Sequence, residues 1–399
     1  MRVAFIHNEK KIETGAHQIN DLISLKLKSR GVEVVNVYPK FQLIDPPAKL
    51  RGVGNILFFY SLLEQRDEIL KCDLIQGTTY TPLTFLAFPI PVVTHFGSTT
   101  YGFLRKTPRS WQLEKKFLDI FREMKNAGVI RELDLQTRKP LKDIADIEAY
   151  TAQKADVAIA TSEAVKDDLL KNGVPREHIK VIHNAIEDYW FKGRVKKMED
   201  NPDIVFLGRL GNGVFDFELK GLDRLIAAAD EFKRQHFPVI GITQNKKLEP
   251  WLKLRCPNMK PMFNLEKPAI KRFLSRKRGS VLYVSSRYEG FSLSLVEGMS
   301  QGLVPVSYRV GVAPEIIKHG VNGFLVDNHK QAVECMGRIL NDRHLRTSLS
   351  RQAMLTAKAF TTDRLADLLI DLYGTILSNP RVTKLPRAPQ KKLVTRVIN

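Results

Sequence analysis

The sequence predicts an α/β protein built from two facing, doubly wound parallel sheets. Three observations predict it. Short apolar strand-type runs alternate with helical stripes from the first residues onward, the pattern of βαβ crossover units. The alternation breaks in a charged stretch, residues 192–202, and starts afresh at Ile204. The length, 399 residues, suits two ordinary domains. Ligands of such sheets sit beyond the carboxyl ends of the strands, so two facing sheets share a cleft. The expected division is 1–190 for the first domain, completed by a C-terminal helix over 361–378, and 195–360 for the second. A basic tail, 379–399, follows.

The elements follow in order. Arg2–His7 is a short apolar strand. His17–Arg30 carries Ile19, Leu22, Ile23, Leu25 and Leu27 at helical spacing, and Gly31 stops it before a strand at Val32–Tyr38. A helix over Ile56–Leu70 leads to buried strands at Asp73–Gln76 and Val92–His95. Residues 104–145 hold eleven Lys/Arg against six Asp/Glu, and Ser110–Lys125 reads as an amphipathic helix. Helix Ile147–Lys154, strand Val157–Thr161, helix Glu163–Asn172 and strand Lys180–His183 resume the alternation. The second series has strands at Ile204–Leu207, Val239–Thr243, Ser280–Val284, Val304–Tyr308 and Phe324–Val326. The chain is then helical to about Leu377. The tail Arg381–Asn399 has six Lys/Arg, no acid and two prolines, and reads as mobile.

Composition narrows the function classes. Hydrophobic content of 43% and charged content of 27% fit a globular protein. Charged residues follow Ile6 too soon for a signal peptide, and the most apolar stretch, Pro82–Phe96, is short and holds three prolines. It falls below the ~20 apolar residues of a spanning helix. Cys72, Cys256 and Cys335 form no CxxC pair and read as reduced structural thiols. The expectation is a cytoplasmic protein, with a peripheral position at the inner face of a membrane open. The net charge of +20 admits anionic lipid, nucleic acid or a phosphorylated substrate without choosing among them.

One segment carries chemistry: Ser285-Ser-Arg-Tyr-Glu289-Gly290-Phe-Ser-Leu-Ser-Leu-Val-Glu297, running on to Gly302 and Pro305. It follows a strand and opens a helix. Gly290 permits close backbone approach to a ligand. The amides of Phe291, Ser292 and Leu293 begin the helix and suit an anion. Each carboxylate, repelled by phosphate, suits hydroxyls such as a ribose diol. These features together fit a nucleoside diphosphate sugar. A plainer alternative makes Ser294-Leu-Val-Glu297 a capping box. It would leave only about seven helical residues before Gly302, short for a crossover helix.

The wording EGFSLSLVEGMSQGLVPV resembles, over eighteen residues, the E-x7-E motif of the retaining GT-B glycosyltransferases of family 4, the glycosyl transferases group 1. The resemblance implies two Rossmann-like domains, the first taking the acceptor. It implies that Glu297 holds the nucleotide ribose and Glu289 contacts the donor sugar. Gly208-Arg209 and Lys220-Gly221 resemble the family's G-R-x…K-G-x-x pattern, in which Arg and Lys hold the diphosphate; without that resemblance each reads as a solvated surface cation. The spacer Gly211–Leu219 is longer than the family's. His95 matches a histidine near the donor sugar, though a lone His is more often a satisfied core group. Gly15, in Thr14-Gly15-Ala16, matches a loop beside the diphosphate, with Ala16 replacing a second glycine. His183-Asn184-Ala185-Ile186-Glu187 resembles N-G-x-D, Pro314-Glu315 resembles a segment around the nucleotide, and Asn322-Gly323 resembles the family's downstream N-G-x-L-V turn and strand.

The resemblance implies transfer of a sugar from a UDP- or GDP-sugar to an acceptor hydroxyl with retention, in cell-surface polysaccharide, lipopolysaccharide or glycolipid synthesis. His95, Glu289, Arg209 and Lys220 are the expected catalytic groups. No cofactor and no metal are expected, since Asp216-Phe-Glu218 lies in the spacer and family members use cations and helix dipoles instead. Expected partners are the nucleotide sugar, a sugar or lipid-linked acceptor and, through the basic 104–145 region, an anionic membrane surface. Nucleic acid is not expected, because no basic–aromatic interleaving accompanies the charge. A nucleotide-sugar epimerase shares the fold, and the E-x7-E segment argues against it.

Overall fold

The computed structural model of the protein describes residues 1–9, 15–41, 51–106, 118–130, 138–193, 197–211 and 213–378. Thr14, the first half of the expected helix Ser110–Lys125, residues 194–196 of the expected linker and the tail from 379 lie outside the described residues.

The strands are β1 (Arg2–Ile6), β2 (Glu33–Val37), β3 (Leu74–Thr78), β4 (Val92–Phe96), β5 (Val157–Ala160) and β6 (Ile179–Val181), then β7 (Ile204–Arg209), β8 (Phe237–Ile242), β9 (Met259–Phe263), β10 (Val281–Val284), β11 (Val304–Tyr308) and β12 (Phe324–Val326). They form two six-stranded sheets, of order β2-β1-β3-β4-β5-β6 and β12-β11-β10-β7-β8-β9. Their registered pairs are parallel. Helices separate successive strands, as parallel pairing requires. The two expected sheets are therefore present. Among the described residues no helix is long and apolar enough to cross a membrane.

Several elements differ from expectation. β9 was not expected, and it carries Pro261. The expected helix Ile56–Leu70 is two helices, Arg51–Leu63 and Arg66–Ile69. The supposed spacer before Lys220 is itself a helix, Val214–Lys220. Gly221, with φ of 65°, ends it and admits the next helix, Leu222–Glu231.

The chain divides into two compact units, Met1–His95 with Tyr150–Ala158 and the chain from Ala366, and Phe96–Ala149 with Ile159–Leu365. In the first, Val3, Phe5, Ile75 and Val92 are buried. Tyr373, from the helix Thr362–Ser378, donates its hydroxyl to Gln76 Oε1 of β3 at 2.5 Å.

In the second unit both sheet faces are covered, so its strands are apolar on successive residues. Val281 and Tyr283 of β10 join a core with Phe206, Phe217 and Phe324. Leu282 and Val284 join another with Leu295, Val296 and Met299. Burying each such aliphatic side chain contributes roughly 1.5–3 kcal/mol. The strand order puts β7 beside β10. The chain leaves β7 toward β8 and β9, then returns at β10 and runs the other way. That reversal is a topological switch point, with its crevice at the carboxyl ends of β7 and β10.

Candidate functional site

Both ends at the switch point carry polar side chains. β7 ends in Gly208-Arg209, and β10 runs into Ser285–Glu289. Lys220 Nζ, at the end of its helix, donates to Glu289 Oε1 at 2.6 Å. Ser286 Oγ donates to the same oxygen at 2.7 Å. Neither charged side chain is more than 24% exposed. At this separation an ammonium and a carboxylate orient each other.

The loop carrying Glu289 is tied down from three sides. Ser285 Oγ donates to Lys220 O at 2.8 Å. Arg224 donates to the carbonyls of Ser285 and Ser286, and its guanidinium stacks 3.7 Å from the Tyr308 ring centroid. Arg287 forks onto Asp223 and also meets Glu218 at 2.9 Å. The Tyr288 hydroxyl donates to Asp168 Oδ2 and accepts from Thr99 N, each at 3.0 Å. Glu218 of the D-x-E triplet thus serves the loop.

The helix after the loop is Leu293–Ser300, with Ser292 at its N-cap. It therefore starts two residues later than expected, and Phe291 precedes it. Phe291 is buried against Phe360, and its side chain is core. Ser292 has a left-handed backbone, φ of 84°, uncommon for a residue with a Cβ. Its buried Oγ has no hydrogen-bond partner among the described residues and does not cap the helix. The first helical amides thus carry no side-chain cap.

Glu297 is buried at 7% exposure and meets Lys267 Nζ at 3.3 Å. The capping-box alternative fails, because the helix starts before Ser294. The length argument against that alternative also fails, since the helix is only eight residues long. Lys267 in turn donates to Glu187 Oε1 at 2.5 Å. Burial pushes the Glu297 pKa up, and Lys267 draws it back.

Gly290 has a packing reason for lacking a side chain. An ideal Cβ there would stand 1.7 Å from the Gly97 carbonyl oxygen. Ser162 Oγ donates to the Gly290 carbonyl at 2.5 Å. The close approach read as an approach to ligand is thus made to backbone. At Gly208, in β7, a Cβ would meet the Phe206 ring at 3.2 Å. Leu293, half-buried, opens the helix.

The remaining residues fall elsewhere. Arg209 is 62% exposed and touches Asp216 at 3.4 Å rather than Glu289. His95 lies in β4 of the first unit, 4% exposed, and burial lowers its pKa to about 4. Its imidazole is therefore neutral near pH 7. Gly15, also in the first unit, opens the helix Gly15–Ser29. Glu315 accepts from Glu163 N at 2.9 Å and pairs with His183 at 2.8 Å, so it holds two chain segments together. Sequence reasoning missed Lys267, Arg224 and Ser286. Arg224 and Ser286 lie beside assigned positions, whereas Lys267 has no local signal. Among the described residues no group of three or more His, Cys, Asp or Glu is placed to hold a metal ion.

Comparison with known proteins agrees with this arrangement. A family model described as glycosyl transferases group 1 matches residues 191–355, and one described as glycosyltransferase family 4 matches residues 22–189. An uncharacterized glycosyltransferase of Methanocaldococcus jannaschii is 24% identical over 254 residues, which cover 58% of this chain and 63% of that relative's own length. Among solved structures, sucrose-phosphate synthase of Thermosynechococcus elongatus aligns at TM-score 0.69 with 16% identity, over 94% of this chain and 98% of that one. HepE of Anabaena, solved in complex with UDP-glucose, aligns at TM-score 0.62 with 16% identity, over 94% of this chain and 100% of that one. Two six-stranded parallel sheets, the E-x7-E segment at the switch point and two adjoining family matches lead to one conclusion: the chain has the GT-B fold and belongs to the family 4, group 1 glycosyltransferases.

Proposed function

We propose that the chain transfers a sugar from a UDP- or GDP-sugar to an acceptor hydroxyl with retention at the anomeric carbon. The observation that carries the reading is the Lys220–Glu289 pair at the switch point. Glu289 contacts the donor sugar. Lys220, Arg209 and the uncapped amides of the Leu293–Ser300 helix receive the diphosphate, whose charge grows as the glycosidic bond breaks. Glu297 takes the ribose diol. His95, neutral, hydrogen-bonds the sugar, and Gly15 lies beside the diphosphate. No metal takes part. HepE, of the same fold, was solved with UDP-glucose, and this supports a nucleotide-sugar donor.

The test is a thermal-shift panel of UDP, GDP and ADP sugars, followed by transfer assays with the stabilising donor. No stabilisation by any of them sinks the reading. Inversion in the product would remove retention alone.

The acceptor is proposed to be a sugar or a lipid-linked sugar of a cell-surface polysaccharide, lipopolysaccharide or glycolipid, met at an anionic membrane surface. The excess of Lys/Arg in residues 104–145 and the net charge of +20 support it. Flotation with anionic liposomes checks the membrane part, and the absence of salt-sensitive binding removes it.

A further inference from the structure

Lys267 lies between two carboxylates distant in sequence. It is the first residue of the helix Lys267–Ser275. Its Nζ is 2.5 Å from Glu187 Oε1 and 3.3 Å from Glu297 Oε1. The other oxygen of Glu187 accepts the indole N–H of buried Trp190 at 3.0 Å, which fixes that carboxylate. Gln301 Nε2 donates to the Trp190 carbonyl at 2.8 Å, tying the turn back to the end of the Glu297 helix. Two acids thus share one base in a half-buried cluster.

The charges decide how Glu297 behaves. Burial favours its neutral form, Lys267 favours the ionised form, and Glu187 opposes ionisation. Burial likewise works against the Lys267 ammonium, but the two carboxylates outweigh it and raise its pKa. Tyr189 also faces the cluster and is held neutral by burial and by both acids. Oε1 is the Glu297 oxygen turned to Lys267.

We propose that Lys267 is a positioning residue for the donor ribose, keeping Glu297 ionised and turned so that Oε2 accepts the ribose hydroxyls. The inference rests on the proposed role of Glu297. It adds that recognition of the nucleotide depends on a lysine outside the E-x7-E segment and on the turn that carries Glu187.

The experiment compares ribose with 2′-deoxyribose. Calorimetry first finds which of UDP, GDP and ADP the wild type binds, then measures that nucleotide and its 2′-deoxy form. A hydrogen bond to a charged group is worth roughly tenfold in affinity. The wild type should prefer the ribonucleotide by about that factor, and E297Q should lose the preference. K267M should lose it at the acidic end of the pH range and regain it as the pH rises and Glu297 ionises. K267R should keep it throughout. The double variant K267M/E187Q removes the neighbouring acid with the base, so it guards against a folding failure, and it should show the same loss. A folded K267M or K267M/E187Q with wild-type preference at every pH overturns the role of Lys267 while leaving Glu297 as ribose ligand. A wild type with no preference, or E297Q that keeps it, overturns the ribose reading and this inference together.

Discussion

Lys220 and Glu289 meet at 2.6 Å, ammonium against carboxylate, from a helix end and a post-strand loop 69 residues apart. If this pair handles donor sugar and leaving diphosphate, either loss should cut turnover. K220A and E289Q should each lower transfer by roughly 10²–10³, the range for removing one preorganised charge-stabilising group. The assay is release of nucleoside diphosphate with the cognate donor. Wild-type rates in both variants exclude the assignment.

Arg209 offers a contrast. Its side chain is 62% exposed, and its ion pair with Asp216 is long at 3.4 Å. Such a pair contributes about 0–1 kcal/mol to stability. R209A should therefore leave the urea midpoint nearly unchanged while slowing transfer. A variant as fast as wild type would remove Arg209 from the diphosphate site.

Two glycines should respond oppositely to a methyl group. G290A drives Cβ into the Gly97 carbonyl, so it should destabilise by about 1–3 kcal/mol or more. G374A, within the helix Thr362–Ser378, meets nothing within 4 Å and should stabilise by roughly 0.5–1 kcal/mol. Equilibrium unfolding distinguishes them, and a neutral G290A contradicts the packing.

Glu148 gives a pH prediction. It is buried, accepts from Thr100 N at 2.8 Å and Thr100 Oγ1 at 2.9 Å, and burial raises its pKa to about 7. The folded value lies above the unfolded one, so its stabilising contribution is complete below pH ~4.5 and is lost as pH rises through about 7. Stability should fall between these limits. E148Q should flatten that part of the profile of Tm against pH. An unchanged slope in E148Q assigns the pH dependence to other groups.

Parallel-sheet strands were legible because both faces are covered. β11 and β12 fall on their expected residues for that reason. β9 escaped because Lys260 and Pro261 break its apolar run, an interruption that its place at the sheet edge tolerates, whereas β12 at the other edge is apolar throughout. The helix Val214–Lys220 escaped because it is seven residues long, with two acids and no capping side chain. At the site, Glu289 and Glu297 were legible through local spacing. Their lysines were unequally so: Lys220 sits beside a glycine turn, whereas Lys267 reaches Glu297 only through the tertiary fold. No periodicity encodes a pairing between residues brought together by a sheet crossover.

The contact between Gly290 and Gly97 also limits how the loop can diversify. With no room for even one carbon between the two backbones, segments 97–98 and 289–291 are set as a unit. Exchanging the Ser286 side chain, whose hydroxyl reaches Glu289, leaves that main-chain contact untouched, whereas any side chain at position 290 would break it. Adaptation at this site is thereby steered toward replacing functional groups while the path of the main chain is inherited intact.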